Sequence, residues 1–231
     1  MILRQLLNYE TFTYTYLVAD EDTKEAVIID PVREELERDL KLIKELGLNL
    51  KYSLETHVHA DHITSANSLR EATGCETVLG SGANVECSDI NIQDGETLDF
   101  GKLSLKAIAT PGHTNACTSY LIQNLVFTGD TLFIRGTGRT DFQGGSAEAL
   151  YESITEKLFT LDPDTVVYPG HDYKGTTSST IAEEMRLNPR LGSGKSKEEF
   201  VKIMSELNLA QPKKIQEAVP ANVKCGEGAK L

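Results

Sequence analysis

The 231-residue chain lacks several features that mark other classes of protein. It has no run of about 18 apolar residues, so no membrane-spanning helix is predicted. Positive charge is scarce, because 23 Lys and Arg stand against 35 Asp and Glu, for a formal net charge of −12. This balance argues against nucleic acid or an anionic membrane as a partner, since both bind positively charged surfaces.

The sequence also lacks a recognisable leader and closely spaced cysteines. Residues Met1–Leu7 contain no basic segment followed by a small-residue cleavage site, which predicts a cytoplasmic protein or the mature form of an imported one. No Cys-x-x-Cys pair occurs, so neither a thiolate zinc site nor a redox pair is predicted. We expect reduced thiols rather than a disulfide framework at this length; the cysteines are Cys75, Cys87, Cys117 and Cys225.

The chain does contain alternating strand-like and helix-like segments. The hydrophobic periodicity predicts strands over 11–18, 26–30, 51–55, 77–79, 104–109, 117–122, 125–129 and 165–168, and helices over 33–46, 63–73, 146–159, 176–187 and 196–206. The glycine-rich stretch 131–145 is predicted to be a long loop. This order favours two stacked sheets with helices on their outer faces, in one domain over 1–231 whose residues from about 174 form a C-terminal helical cover.

All five histidines come just after predicted strands, where α/β folds collect functional residues. Residues i and i+2 of an extended segment point the same way, so His57 and His59 can face one metal. Imidazole and carboxylate ligands together suit zinc, iron or manganese. By spacing alone, seven residues could furnish a site for two metals: His57, His59, Asp61, His62, His113, Asp130 and His171.

Four short motifs carry a family resemblance: Thr56–His62 (Thr-His-Val-His-Ala-Asp-His), Pro111–Thr114, Thr128–Asp130 and Gly170–Asp172. Together they resemble the pattern of the metallo-β-lactamase superfamily. The resemblance implies an α/β fold of the αββα sandwich type, with two mixed β-sheets flanked by helices and a metal site at one edge.

Two branches of that superfamily compete for this sequence. One is glyoxalase II, which hydrolyses acyl-glutathione at a binuclear site, and the other is the persulfide dioxygenases, which use one iron. The rest of the chain resembles the dioxygenases, above all in the block Ile134–Gln143 and in the segments Tyr168–Tyr173, Asn188–Leu191 and Val219–Asn222. Departures from the dioxygenase pattern at Thr137, Gly170 and 65–67 touch no proposed ligand.

The resemblance implies one Fe(II) per chain, held by His57, His113 and Asp130. Three ligands on one face of an iron leave positions open for a sulfur and for O₂. The remaining members of the cluster are then expected to orient ligands and bound water by hydrogen bonds; they are His59, Asp61, His62 and His171. Tyr173 and Arg190 match positions that the family uses near glutathione.

The activity implied by the resemblance is oxidation of the sulfane sulfur of glutathione persulfide by O₂, which gives sulfite and glutathione. A binuclear zinc thioesterase of the glyoxalase II type and a non-catalytic sulfur-binding protein are the alternatives. A homodimer and a separate rhodanese-type sulfurtransferase are expected partners.

Three further residues have predicted structural roles. Arg139 is expected to pair with Asp141 and hold the glycine-rich loop. Asp172 is expected to tie its own turn through backbone hydrogen bonds. Cys117 is expected to be a buried thiol in a strand.

Overall fold

The computed structural model describes residues 1–83, 85, 87–210 and 214–226. The strands in these ranges are β1 (Ile2–Leu7), β2 (Tyr14–Ala19), β3 (Glu25–Ile29), β4 (Asn49–Leu54), β5 (Glu76–Gly80), β6 (Ile90–Ile92), β7 (Thr97–Phe100), β8 (Leu103–Ala109), β9 (Thr118–Ile122), β10 (Leu125–Gly129), β11 (Val166–Pro169) and β12 (Ser179–Thr180). The α-helices are α1 (Leu36–Glu45), α2 (Ala66–Thr73), α3 (Ala147–Glu152), α4 (Ile181–Leu187), α5 (Lys197–Ser205) and α6 (Ile215–Asn222).

The strands form two six-stranded sheets, in the orders β1-β2-β3-β4-β5-β6 and β12-β11-β10-β9-β8-β7. In the first sheet β3 runs parallel to β4. In the second sheet β8 and β10 are both antiparallel to β9, and β11 is parallel to β10. The carboxyl ends of β8, β10 and β11 therefore lie at one edge of their sheet.

Apolar side chains between the sheets form the main core. Tyr16, Leu54, Phe100, Tyr120 and Phe127 are among its buried members. Two tyrosine hydroxyls of this core link the sheets close to where the strands end. The Tyr16 hydroxyl donates to the Pro169 carbonyl at 2.6 Å, and the Tyr120 hydroxyl donates to the Glu55 carbonyl at 2.9 Å. A buried phenol needs such a partner, so these contacts fix how the two sheets meet.

Helices cover the outer face of each sheet. Leu17, Ile28 and Leu50 on the first sheet pack with Ile43 of α1 and Leu69 of α2. On the second sheet, Val126 and Val167 pack with side chains from the other helical layer; these include Leu150, Ile181 and Phe200. The predicted αββα sandwich is confirmed.

Some elements depart from the sequence predictions. β1, β6, β7 and α6 were not predicted, and helix α2 begins at Ala66 rather than at residue 63. The predicted helix 176–187 begins only at Ile181, because residues Ser179–Thr180 form β12. The backbone before α2 is not helical because it bonds to another segment of the chain. Thr64 pairs with Val32 in a β-bridge, and the Ser65 amide donates to the Pro31 carbonyl at 3.1 Å. Within the described ranges, the helices are too short and too polar to cross a bilayer.

The prediction that all four cysteines are reduced is wrong for two of them. Cys87 and Cys225 form a disulfide, with a Cα–Cα distance of 5.9 Å and a sequence separation of 138 positions. The sequence could not show this pairing, because only the folded chain brings the two residues together. Cys75 and Cys117 are free and buried, as expected of small apolar thiols. Cys117 lies directly before β9.

Candidate metal centre

The site forms where strands of both sheets end. Asp30 follows β3 and His57 follows β4, while His113, Asp130 and His171 follow β8, β10 and β11. Hydrogen bonds across the sheets close this edge: the Tyr14 amide donates to the Gly170 carbonyl and the Thr118 amide to the Thr56 carbonyl, both at 2.8 Å. The predicted convergence of the histidines is thereby confirmed.

His57, His113 and Asp130 form the most open metal-binding group. One ligand atom from each lies within 4.8 Å of the other two, and Nε2 of His113 is 3.5 Å from Oδ2 of Asp130. Two ligands of one ion at ~2.1 Å lie roughly 3 Å apart when their bonds are perpendicular, so this spacing fits shared coordination. Oδ1 of Asp130 is buried without a hydrogen-bond partner. An orphaned carboxylate oxygen beside two imidazoles fits a cation.

Neighbouring groups fix which ring nitrogen each histidine offers. Nδ1 of His113 lies 2.7 Å from the Arg139 carbonyl, which can only accept, so Nδ1 carries the proton and Nε2 is free to bind a metal. For His57 the partner is the Thr56 hydroxyl, 3.0 Å from Nδ1. Thr56 donates onward to Oδ2 of Asp30 at 2.8 Å, so its oxygen accepts from the His57 ring. Burial, with His59 and His113 nearby, holds the pKa of His57 well below its ordinary value, so the ring is neutral.

We expect Thr56→Val to weaken metal binding about 10- to 100-fold, as loss of an outer hydrogen-bond partner generally does. Valine keeps the shape but cannot accept from the His57 ring or donate to Asp30. A competition titration with a chelator measures the effect. Thr97→Val is the control, since Thr97 is an exposed threonine on β7. Equal affinities for the two variants would contradict the proposed relay from Asp30 through Thr56 to His57.

His59 lies beside His57, with ring centroids 4.0 Å apart, but its Nε2 faces away from the open group. Nε2 is 3.0 Å from Oδ1 of Asp30 and 3.2 Å from Oε2 of Glu55, and all three side chains are buried. Burial lowers the pKa of His59, but these two carboxylates outweigh it and raise the pKa well above its ordinary value. Asp30 and Glu55 therefore anchor His59 from behind the site.

Asp61, His62 and His171 form the opposite wall. Oδ2 of Asp61 lies 3.0 Å from Nδ1 of His62 and accepts a hydrogen bond from the Thr13 hydroxyl at 3.1 Å. Burial opposes the charge of Asp61, but His62 and His171 hold its pKa well below the ordinary value. Nε2 of His171 is 3.5 Å from Oδ1 of Asp130. The structure thus brings all seven sequence-predicted His and Asp residues to one place.

A cavity of about 490 Å³ opens over His57, His113 and Asp130. This volume is typical of a pocket for a small molecule. Tyr173 stands at its mouth, 65% exposed, with its ring stacked on His171 at 5.9 Å between centroids. Arg190 and Lys174 also line the cavity, and neither forms an ion pair with a carboxylate that the structure describes. Both cations are thus available to an anionic ligand.

The loop that forms the cavity wall is held as predicted. Arg139 donates to both carboxylate oxygens of Asp141, at 2.6 and 2.7 Å, and Nη1 donates to the Ala210 carbonyl at 2.6 Å. Asp172 accepts from the amides of Lys174 at 2.9 Å and Thr176 at 2.6 Å, so its predicted role in tying the turn is confirmed.

Several residues of the site escaped the sequence analysis. Asp30 could have been found, because it is the polar last residue of the otherwise apolar predicted strand 26–30, close to a strand end as His57 is. No sequence pattern singled out Glu55 or Thr56, since their roles depend on where their side chains point in the folded protein. Asn222 belongs to a segment that carried the family resemblance, yet no pattern predicted its contact with the histidine loop.

Comparison with known proteins places this site in a family. The family model for the metallo-β-lactamase superfamily matches residues 8–87 and 88–171. The chain is 51% identical over 231 residues to human "Persulfide dioxygenase ETHE1, mitochondrial", covering 98% of this chain and 89% of that protein. It is 50% identical, with the same coverage, to the bovine protein of that name.

A solved structure gives the same result. The crystal structure of ETHE1 from Myxococcus xanthus has a TM-score of 0.95 and 53% identity, covering 98% of this chain and all of that chain. The chain belongs to the metallo-β-lactamase superfamily, and its histidines and aspartates form a metal-binding site.

Proposed function

We propose that this protein is a persulfide dioxygenase, an oxidoreductase that converts glutathione persulfide, O₂ and water to sulfite and glutathione. The observation that carries the proposal is identity of about half over nearly the whole chain to proteins of that name, together with the His57, His113 and Asp130 group at the floor of the cavity. A cytoplasmic location, a homodimer and a rhodanese-type sulfurtransferase that supplies the persulfide remain predictions.

The metal that we propose is a single Fe(II) per chain. The donor set of two imidazoles and one carboxylate is the one that non-haem Fe(II) oxygenases use. When bound, iron would supply open coordination positions and the electrons needed to activate O₂. The protein contributes fixed nitrogen lone pairs, through the Arg139 carbonyl on His113 and Thr56 on His57. Asp61 is engaged by Thr13 and His62, which favours a supporting role for this residue.

The cavity also fits the charge of glutathione. The tripeptide carries two carboxylates, and the two cations of the cavity that lack carboxylate partners are Arg190 and Lys174. Nη1 of Arg190 donates to the carbonyl and hydroxyl of Thr137, at 2.8 and 3.0 Å, which fixes the guanidinium at the wall. A guanidinium held in this way can donate its remaining N–H groups to a carboxylate. Tyr173 lies where its ring can cover the bound peptide.

We expect Arg190→Ala to raise KM for glutathione persulfide about 10-fold or more, because a hydrogen bond to a charged group contributes about 1.5–3 kcal/mol. The iron content should not change, since Arg190 contacts no ligand residue. Steady-state kinetics and metal analysis on the same preparation measure both quantities. Arg186→Ala on α4 is the control, because Arg186 is exposed. Parallel loss of iron and of affinity would contradict the assignment.

The experiment that decides the function is metal analysis of anaerobically purified protein combined with O₂ uptake. One iron per chain and uptake of one O₂ per persulfide are expected. Two metals per chain with hydrolysis of an acyl-glutathione thioester would instead support the glyoxalase II alternative. No turnover of either substrate by metal-loaded protein would support a sulfur-binding protein.

A further inference from the structure

Helix α6 places one buried amide directly on the loop that carries three of the histidines. Asn222, the last residue of α6, is 4% exposed. Its Nδ2 donates to the backbone carbonyls of His59 at 2.9 Å and His62 at 2.8 Å, and its Oδ1 accepts from the Thr64 amide at 2.9 Å. One side chain thus holds both ends of the turn between His59 and Thr64, from about 160 positions away in sequence.

Residues just after helix α6 are held to the body of the protein by further contacts. The disulfide joins Cys225, three positions after Asn222, to Cys87. The Cys225 carbonyl accepts from the Asn67 amide at 3.2 Å, at the start of α2. Gly226 lies so close to Thr64 that a Cβ there would come within 2.3 Å of the Thr64 carbonyl oxygen. The position of Asn222 relative to the loop is therefore fixed by contacts outside the metal centre.

Only an asparagine-like amide fits this arrangement. Two N–H groups are needed for two carbonyls and one oxygen for an amide N–H, and the Asn side chain has that inventory. A carboxylate in the same place could still accept from Thr64 but would face two carbonyl oxygens with nothing to donate. The backbone between His59 and His62 would then no longer fix the directions of His59, Asp61 and His62, the residues of this loop that support the metal centre.

We propose that Asn222 is a positioning residue for the metal centre: it fixes the backbone of residues 59–64 and so presents the histidine loop in its metal-binding conformation. The proposal rests on the metal centre proposed above and not on the identity of the substrate. Asn222 lines no part of the cavity, and its side chain is hydrogen-bonded to backbone atoms of the loop, so its effect passes through the loop backbone.

The test compares Asn222→Asp and Asn222→Ser with Gln216→Ala, an exposed position on the same helix. Metal affinity is measured by chelator competition with both Fe(II) and Zn(II), at a temperature where each metal-free variant is folded. We expect Asn222→Asp to weaken binding of both metals about 10- to 100-fold, as loss of outer support generally does. Asn222→Ser, which keeps one donor, should show a smaller loss, and Gln216→Ala should bind as the wild type does.

Hydrogen exchange separates positioning from a general loss of stability. In metal-free Asn222→Ser, the backbone amides of residues 59–64 should exchange faster than in the wild type, while the exchange rates of β9 and β10 should not change. Unchanged metal affinity in the folded Asn222 variants, or faster exchange throughout both sheets, would overturn the proposal. Failure of the wild type to oxidise persulfide would instead contradict the proposed function. The comparison of Zn(II) affinities between the Asn222 variants and the wild type would still test the role of Asn222.

Discussion

Asp130→Asn is expected to abolish nearly all turnover and to weaken metal binding by more than about 100-fold, which is the upper range for loss of an outer partner. Asp130 supplies the only carboxylate of the three-residue group with His57 and His113, and its Oδ1 is buried without a hydrogen-bond partner. The amide keeps the size of the side chain but removes the negative charge that balances a cation. Metal analysis after dialysis, followed by activity with added Fe(II), measures both effects.

The control for this change is Asp164→Asn, the same substitution at an exposed position before β11. It should keep the metal content and the activity of the wild type. If Asp130→Asn retained one tightly bound iron and substantial activity, the ligand set would be wrong. The four supporting residues would then have to be tested as ligands, with His171 first, because its Nε2 is the nearest supporting ring nitrogen to Oδ1 of Asp130.

The disulfide is expected to be the largest single covalent contribution to stability. Cys225→Ser opens a loop of 138 positions, for which chain entropy predicts a loss of about 5 kcal/mol in the free energy of unfolding. For a chain of this size that loss corresponds to a fall in Tm of about 10 °C. Thermal unfolding of the metal-free protein, followed by circular dichroism, measures it.

Cys87→Ser provides the matched control for the disulfide. Cys87 is partly exposed whereas Cys225 is 1% exposed, so only Cys225→Ser also disturbs a buried side chain. Most of the loss should nevertheless appear in Cys87→Ser, and the double variant should add little to it, since either change breaks the same bond. Treatment of the wild type with dithiothreitol should lower Tm by a similar amount. An unchanged Tm in Cys87→Ser would show that the bond does not stabilise the fold.

Much of the site could be predicted because its residues follow strands. The apolar segments 51–55, 104–109, 125–129 and 165–168 each indicated where a strand ends, and His57, His113, Asp130 and His171 come within four positions after them. β8, β10 and β11 point the same way in the second sheet, so His113, Asp130 and His171 meet at one edge of that sheet. His57 joins them from the first sheet because the two sheets stack. The family resemblance then indicated which of the seven candidates should be ligands.

What could not be predicted depends on contacts between distant segments. Cys87 and Cys225 pair only because α6 returns to the first sheet, and α6 itself escaped prediction because it is a short helix that contains Pro220. A local pattern cannot show such a return, since helix propensity there is weak and the packing decides. The roles of Asp30 and Asn222 are set by the same kind of long-range contact.

The division of the proposed ligands between the two sheets has a consequence for how the protein is assembled. His57 comes from the first sheet, whereas His113 and Asp130 come from the second. A bound ion would therefore act as a cross-link between two halves that are separate along the chain. Neither half alone carries the full set, so metal occupancy reports on whether the sheets are correctly docked. A chelator should consequently loosen the sandwich at this edge while each sheet keeps its own hydrogen bonds.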